Sequence, residues 1–137
     1  MQNLIIYPQK DTPFVSFNAT NHTLEISGES YHEHHEEFYR KVLDWLQQYV
    51  EEVQDDVTFI FRMTYFNTRT RFAFLEILQI LERLHANKGL LKQVIWYYDD
   101  DELEESGEFY QDQFIQLPFI LLEYPRGVHS FGLNTNG

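Results

Sequence analysis

The stretch Val-Thr-Phe-Ile-Phe, residues 57–61, constrains the fold more than any other part of this chain. It continues to Tyr65 with no turn-forming residue inside it. β-Branched and aromatic residues favour a pleated backbone, and apolar character on both faces suits a central strand covered on both sides. Helical patterns flank it. Upstream, Phe38, Val42, Trp45, Leu46, Tyr49, Val50 and Val53 recur at three- and four-residue spacing and predict an amphipathic helix over 33–53. Downstream, Asn67-Thr68 opens a second helix with Phe74, Ile77, Leu78, Leu81, Leu84 and His85 on its apolar side. Asn87, Lys88 and Gly89 close that helix, with Gly89 suited to a left-handed C-cap.

The other segments arrange themselves around this centre. Residues 4–7, 14–17 and 23–26 read as short strands, with a turn at 18–21, and Gly28 reads as the break in the third. Residues 91–98 predict another strand, 99–113 an acidic loop running into a short helix, and 119–123 a last strand. Alternation of this kind implies an α/β fold with right-handed crossovers. The expectation is one domain over 1–124, a mixed central sheet with an N-terminal antiparallel hairpin, flanked by helices. Residues 125–137 are expected to form a flexible tail.

Composition narrows the function classes. A chain of 137 residues with 43% hydrophobic residues has enough apolar surface for a core. A formal net charge of -12 argues against nucleic acid, whose phosphates need clustered Lys and Arg. It argues equally against an anionic membrane surface. The absence of cysteine excludes disulfides, thiol catalysis and cysteine-based metal sites. No signal peptide or bilayer-spanning run is evident, so membrane insertion is not expected and the location expected is cytoplasmic.

Three clusters could carry chemistry. At the junction Tyr65-Phe66-Asn67-Thr68-Arg69-Thr70-Arg71, a buried strand gives way to residues that cap helices well. Free N–H groups and the dipole at a helix start favour an anion, and Arg69 and Arg71 could pair with a phosphate on Thr68. Plain capping with two solvated arginines is the more economical local explanation. His32-Glu33-His34-His35-Glu36-Glu37 lacks the second histidine of a zincin motif, because Glu36 stands there, so no metal is expected. Asp99-Asp100-Asp101-Glu102 with Glu104, Glu105 and Glu108 lacks the ligand spacing of a calcium loop and reads as a solvated helix start. No phosphate loop, serine elbow or nucleotide fingerprint is present, so neither enzymatic activity nor a cofactor is expected.

A set of ordered blocks resembles a known family. They are Thr12-Pro13, then Leu24-Glu25-Ile26-Ser27-Gly28-Glu29-Ser30-Tyr31, then Phe38-Tyr39 with Val42, Trp45 and Leu46. They continue with Tyr65-Phe66-Asn67-Thr68, Trp96-Tyr97-Tyr98-Asp99-Asp100-Asp101, Gly107-Glu108 and Pro118-Phe119. Together these resemble the SiaC family of bacterial regulatory phosphoproteins, whose fold is similar to the STAS-like anti-sigma-factor antagonists. The resemblance implies a partner switch. A protein kinase would phosphorylate Thr68, with Thr70 as the fallback acceptor, and a metal-dependent phosphatase would remove the phosphate. The unphosphorylated form would bind and activate an effector, a diguanylate cyclase in cyclic-di-GMP and biofilm signalling. Tyr65, Asn67, Thr68, Arg69, Thr70 and Arg71 would face the partner. Arg69 and Thr70 stand where the family usually has small serines, and His32 where it often has proline. A constitutive adaptor of the same fold is the alternative that Arg69 motivates, and a small metal or ligand binder using the His/Glu cluster is a more remote one.

Overall fold

The computed structural model describes residues 1–31 and 36–124. Three short strands open the chain: β1 (Leu4–Ile6), β2 (Phe14–Asn18) and β3 (Thr23–Ser30). Three strand–helix alternations follow: α1 (Glu36–Glu52), β4 (Val57–Phe66), α2 (Thr68–Lys88), β5 (Leu91–Tyr98), α3 (Asp101–Gln113) and β6 (Phe119–Glu123). All six strands form one mixed sheet in sequential order. β1, β2 and β3 pair antiparallel, whereas β3 to β6 run parallel. The α/β domain with its antiparallel N-terminal strands is thus as the sequence implies, and β4 lies inside the sheet between β3 and β5. Residues 32–35 of the His/Glu cluster and the expected tail 125–137 lie outside the described residues.

Coverage of the sheet differs from the expectation. A right-handed crossover that steps each time toward the same edge must place its helix on the same face. The contacts agree. Phe17 packs on Trp45 of α1 at 5.3 Å between ring centroids, Phe61 on Phe74 of α2 at 4.9 Å, and Trp96 on Tyr110 of α3 at 5.3 Å. Phe59 and Phe61 link these groups across the strands. One face of β4, with Val57, Phe59, Phe61 and Met63, is buried beneath the helices. On its other face Thr58, Ile60, Arg62 and Thr64 are only half-buried. Among the described residues no element covers that second face. Among the described residues the helices thus lie on one face only, and Ile60 stands half-buried on the other.

Gly28 does not end β3. The strand runs on to Ser30 by taking Gly28 to φ +100° and admitting an extra residue on β4, since Gly28 pairs with Met63 and Glu29 with Tyr65. A positive φ of this kind suits glycine, and the bulge turns the ends of β3 and β4 together toward the start of α2. Gly89 caps α2 in the left-handed conformation expected, its N–H bonding the carbonyl of His85 at 3.1 Å.

α3 is a full helix of 13 residues instead of a loop with a short helical end. Asp100 caps it, accepting the Leu103 N–H at 2.8 Å, and Asp101, Glu102 and Glu104 fill the first turn, where the dipole favours carboxylates. Leu103, Gly107 and Tyr110 form its buried stripe. Gly107 lets the helix lie directly on Trp96, whose Nε1 donates to the Leu103 carbonyl at 2.9 Å.

Candidate functional site

In a parallel sheet the carboxyl ends of the strands are where loops converge on a groove. The junction from β4 to α2 lies there. Asn67, extended at φ -93° and ψ 179°, is the N-cap of α2, and its side chain accepts the Thr70 N–H at 3.1 Å. Its own N–H bonds the Ser30 carbonyl at 3.2 Å, which ties the cap to the end of β3. The Arg71 N–H bonding the Asn67 carbonyl at 3.2 Å is the first bond of the helix.

Thr68 is the first helical residue and is exposed, and no described residue hydrogen-bonds its hydroxyl. Arg69 is exposed beside it. Arg71, one turn further on, lies with its guanidinium 5.5 Å from the ring centre of Phe109. Tyr65 is 44% exposed and stacks on Tyr31 at 5.0 Å. Thr70 departs from the expectation. It is fully buried, and its hydroxyl is engaged by Asn67 Oδ1 at 2.9 Å and Ser30 Oγ at 2.8 Å. A side chain at this helical position turns inward toward β3 and α1, so Thr70 neither faces a partner nor offers an accessible acceptor hydroxyl in this fold.

A cleft runs from this junction to α3. Thr64, Tyr65, Phe66, Asn67, Thr68 and Arg71 line one wall. The other is built by Asp100, Glu102, Leu103, Glu105, Ser106 and Phe109. Tyr110 joins the walls from beneath, donating its hydroxyl to the Arg71 carbonyl at 2.9 Å, and burial holds that phenol protonated far above the usual tyrosine range. The acidic run, a solvated helix start by its sequence, is set in part opposite Thr68 by the fold. The signal was available: β5 pairs with β4, so the loop leaving β5 must open next to the loop leaving β4. Phe109 and Tyr31 carried no such signal. Among the described residues, no group of three or more histidine or acidic side chains is placed to hold a metal ion. No described helix is long and apolar enough to cross a membrane.

A one-faced α/β domain with a mixed charged and aromatic cleft, and an unengaged threonine at its rim, has the make-up of a regulatory, partner-binding module. The comparisons specify which. The family model described as SiaC family regulatory phosphoprotein matches residues 6–124, and the chain belongs to that family. An uncharacterized protein of Pseudomonas aeruginosa strain UCBPP-PA14 is 27% identical over 123 residues, covering 88% of this chain and 96% of the relative. The crystal structure of apo-SiaC from Pseudomonas aeruginosa superimposes with a TM-score of 0.80 at 27% identity, covering 88% of this chain and 98% of that one. A further similar structure is SiaC of the same organism crystallised as the activator in complex with the diguanylate cyclase SiaD. Its TM-score is 0.81 at 26% identity, over 88% of this chain and 99% of that one. Both the sequence-level resemblance and the fold expected from it are met, and the family is one of regulators, in keeping with a non-enzymatic reading.

Proposed function

We propose that this protein is a cytoplasmic partner switch: unphosphorylated, it binds and activates a diguanylate cyclase, and phosphorylation of Thr68 by a protein kinase releases that partner until a metal-dependent phosphatase resets it. The observation that carries the reading is the exposed Thr68 hydroxyl at the first position of α2, left free because Asn67 does the capping. A phosphate there would meet the positive end of the helix dipole and Arg71, so the fold tolerates it. Its effect falls on the interface, where it adds nearly two negative charges and bulk beside Tyr65, Arg69 and Arg71. A coupling of about 3 kcal/mol would weaken partner binding roughly 150-fold.

The kinship with the activator seen in the cyclase complex supports the effector class. The test pairs the chain with a diguanylate cyclase from the same genome and follows cyclic-di-GMP formation from GTP. Wild type and Thr68→Ala should stimulate it, and Thr68→Asp and the phosphorylated chain should not. Equal stimulation by all four forms, with no phosphate on Thr68 in cells, would replace the switch by the constitutive adaptor that Arg69 motivates.

A further inference from the structure

Two threonines stand two positions apart at the start of α2, one exposed and one with no exposed surface. The buried one closes a chain of hydroxyls. Tyr39 OH lies 2.7 Å from Ser30 Oγ, Ser30 Oγ lies 2.8 Å from Thr70 Oγ1, and Thr70 Oγ1 lies 2.9 Å from Asn67 Oδ1. Asn67 Oδ1 can only accept, and it also takes the Thr70 N–H. The Thr70 proton therefore points to Asn67, nearer than the Ser30 carbonyl at 3.4 Å. Thr70 must then accept from Ser30, and Ser30 from Tyr39. Direction is set along the whole chain, with each hydroxyl donating once, an arrangement in which successive bonds strengthen one another.

The chain joins three elements: α1 through Tyr39, the end of β3 through Ser30, and the first turn of α2 through Thr70. Burying three hydroxyls is costly unless each is bonded, and a valine would fill the Thr70 site without that requirement. We propose that Thr70 is a positioning residue for Thr68: its hydroxyl clamps the Asn67 cap from inside, and so fixes the helix start on which Thr68 is presented according to the seating of α1. The role rests on the reading of Thr68 as the phosphorylated residue.

The test uses the full chain with phosphothreonine installed genetically at position 68, followed by phosphorus NMR titration and by backbone amide exchange. With the cap clamped, the helix start should hold the second phosphate pKa roughly 0.2–0.7 unit below its usual value near 6. In Thr70→Val the pKa should return toward that value. The amides of Thr70 and Arg71 should exchange about tenfold faster through local opening, in excess of any change in the global urea midpoint. Thr70→Ser, which keeps the hydroxyl, should restore both readouts. Tyr39→Phe removes the phenol but leaves the Thr70 hydroxyl on Asn67, and should shift both in the same direction by less, which provides a reading if Thr70→Val does not fold. Unchanged phosphate pKa and amide protection in Thr70→Val, or in Tyr39→Phe where the former is unfolded, would overturn the positioning role. Because the phosphate is installed in advance, that failure is separate from failure of the switch, which shows as a Thr68 without phosphate in cells.

Discussion

Replacing Gly107 with alanine should detach α3 from the sheet at a measurable cost, even though alanine is the better helix former. A Cβ at this position would lie 2.5 Å from Trp96 Cδ1, 2.8 Å from Nε1 and 3.0 Å from Cγ. The indole cannot retreat, because it is fully buried and hemmed in by Phe61, Phe66, Phe74, Tyr110 and Phe119. Either the helix lifts or the ring tilts, and both strain the Trp96 Nε1 bond to the Leu103 carbonyl. Overpacking of a tight core costs about 2 kcal/mol, and a weakened buried hydrogen bond adds about 1.5 kcal/mol. Helix propensity returns about 1 kcal/mol. The net loss of roughly 2–3 kcal/mol corresponds to a fall in Tm of roughly 6–10 °C for a chain of this size. Urea unfolding followed by tryptophan fluorescence measures it directly. In the double variant with Trp96→Phe, the smaller ring should relieve part of the clash, giving a coupling of about 1 kcal/mol or more. A Gly107→Ala protein as stable as wild type would refute the claim that close helix–ring contact fixes α3.

Other outcomes follow from the same structure. Asn67→Ala should cost about 1 kcal/mol because it removes the cap of α2, whereas Thr68→Ala should stay within about 0.5 kcal/mol in urea denaturation. Arg69→Ser should change partner affinity, measured by calorimetry, far more than stability, since an exposed arginine contributes little to folding. The Tyr49 phenol, 2.6 Å from His22 Nδ1, is pushed up to about 12 by burial, with the Asp55 carboxylate adding to the effect. Its folded pKa lies above the unfolded value, so the stability it contributes is present below about pH 10 and lost as pH rises through 12. Tyr49→Phe should therefore show a flatter decline of stability over that window, and lack one phase, near pH 12, of an absorbance titration at alkaline pH.

Much of the fold was legible because local signals agreed with the global one. β4 announced itself by its run of Val57 to Phe61, α2 by Asn67 and Gly89, and α1 by its apolar stripe. The errors fall where a residue's meaning depends on a neighbour distant in sequence. Gly28 is a turn former in isolation, and becomes a bulge only because β4 supplies an extra residue opposite it. Ile60 reads as buried under a helix, yet the direction of every crossover places the helices on the other side. Acidic residues after Asp99 read as a loop because their charge masks the stripe of Leu103, Gly107 and Tyr110, which acquires meaning only against Trp96. The same holds at the candidate site. Asn67 and Thr68 were visible as cap and first helical residue, whereas the inward turn of Thr70 depends on Ser30 and Tyr39, each on another element.

Sequential strand order also governs how the chain assembles. Each hydrogen-bonded strand pair joins consecutive strands, and no loop larger than one helix and its connections has to close before the next pair can form. Low separation between partners shortens the search for the native state. Assembly can thus advance from the N-terminal strands outward, one βα unit at a time, as the chain leaves the ribosome. The consequence for Thr68 is temporal: its helix can be in place while the wall made by α3 is still unsynthesised. For that interval the threonine stands on an open shelf, and the cleft beside it comes into being only once α3 is added.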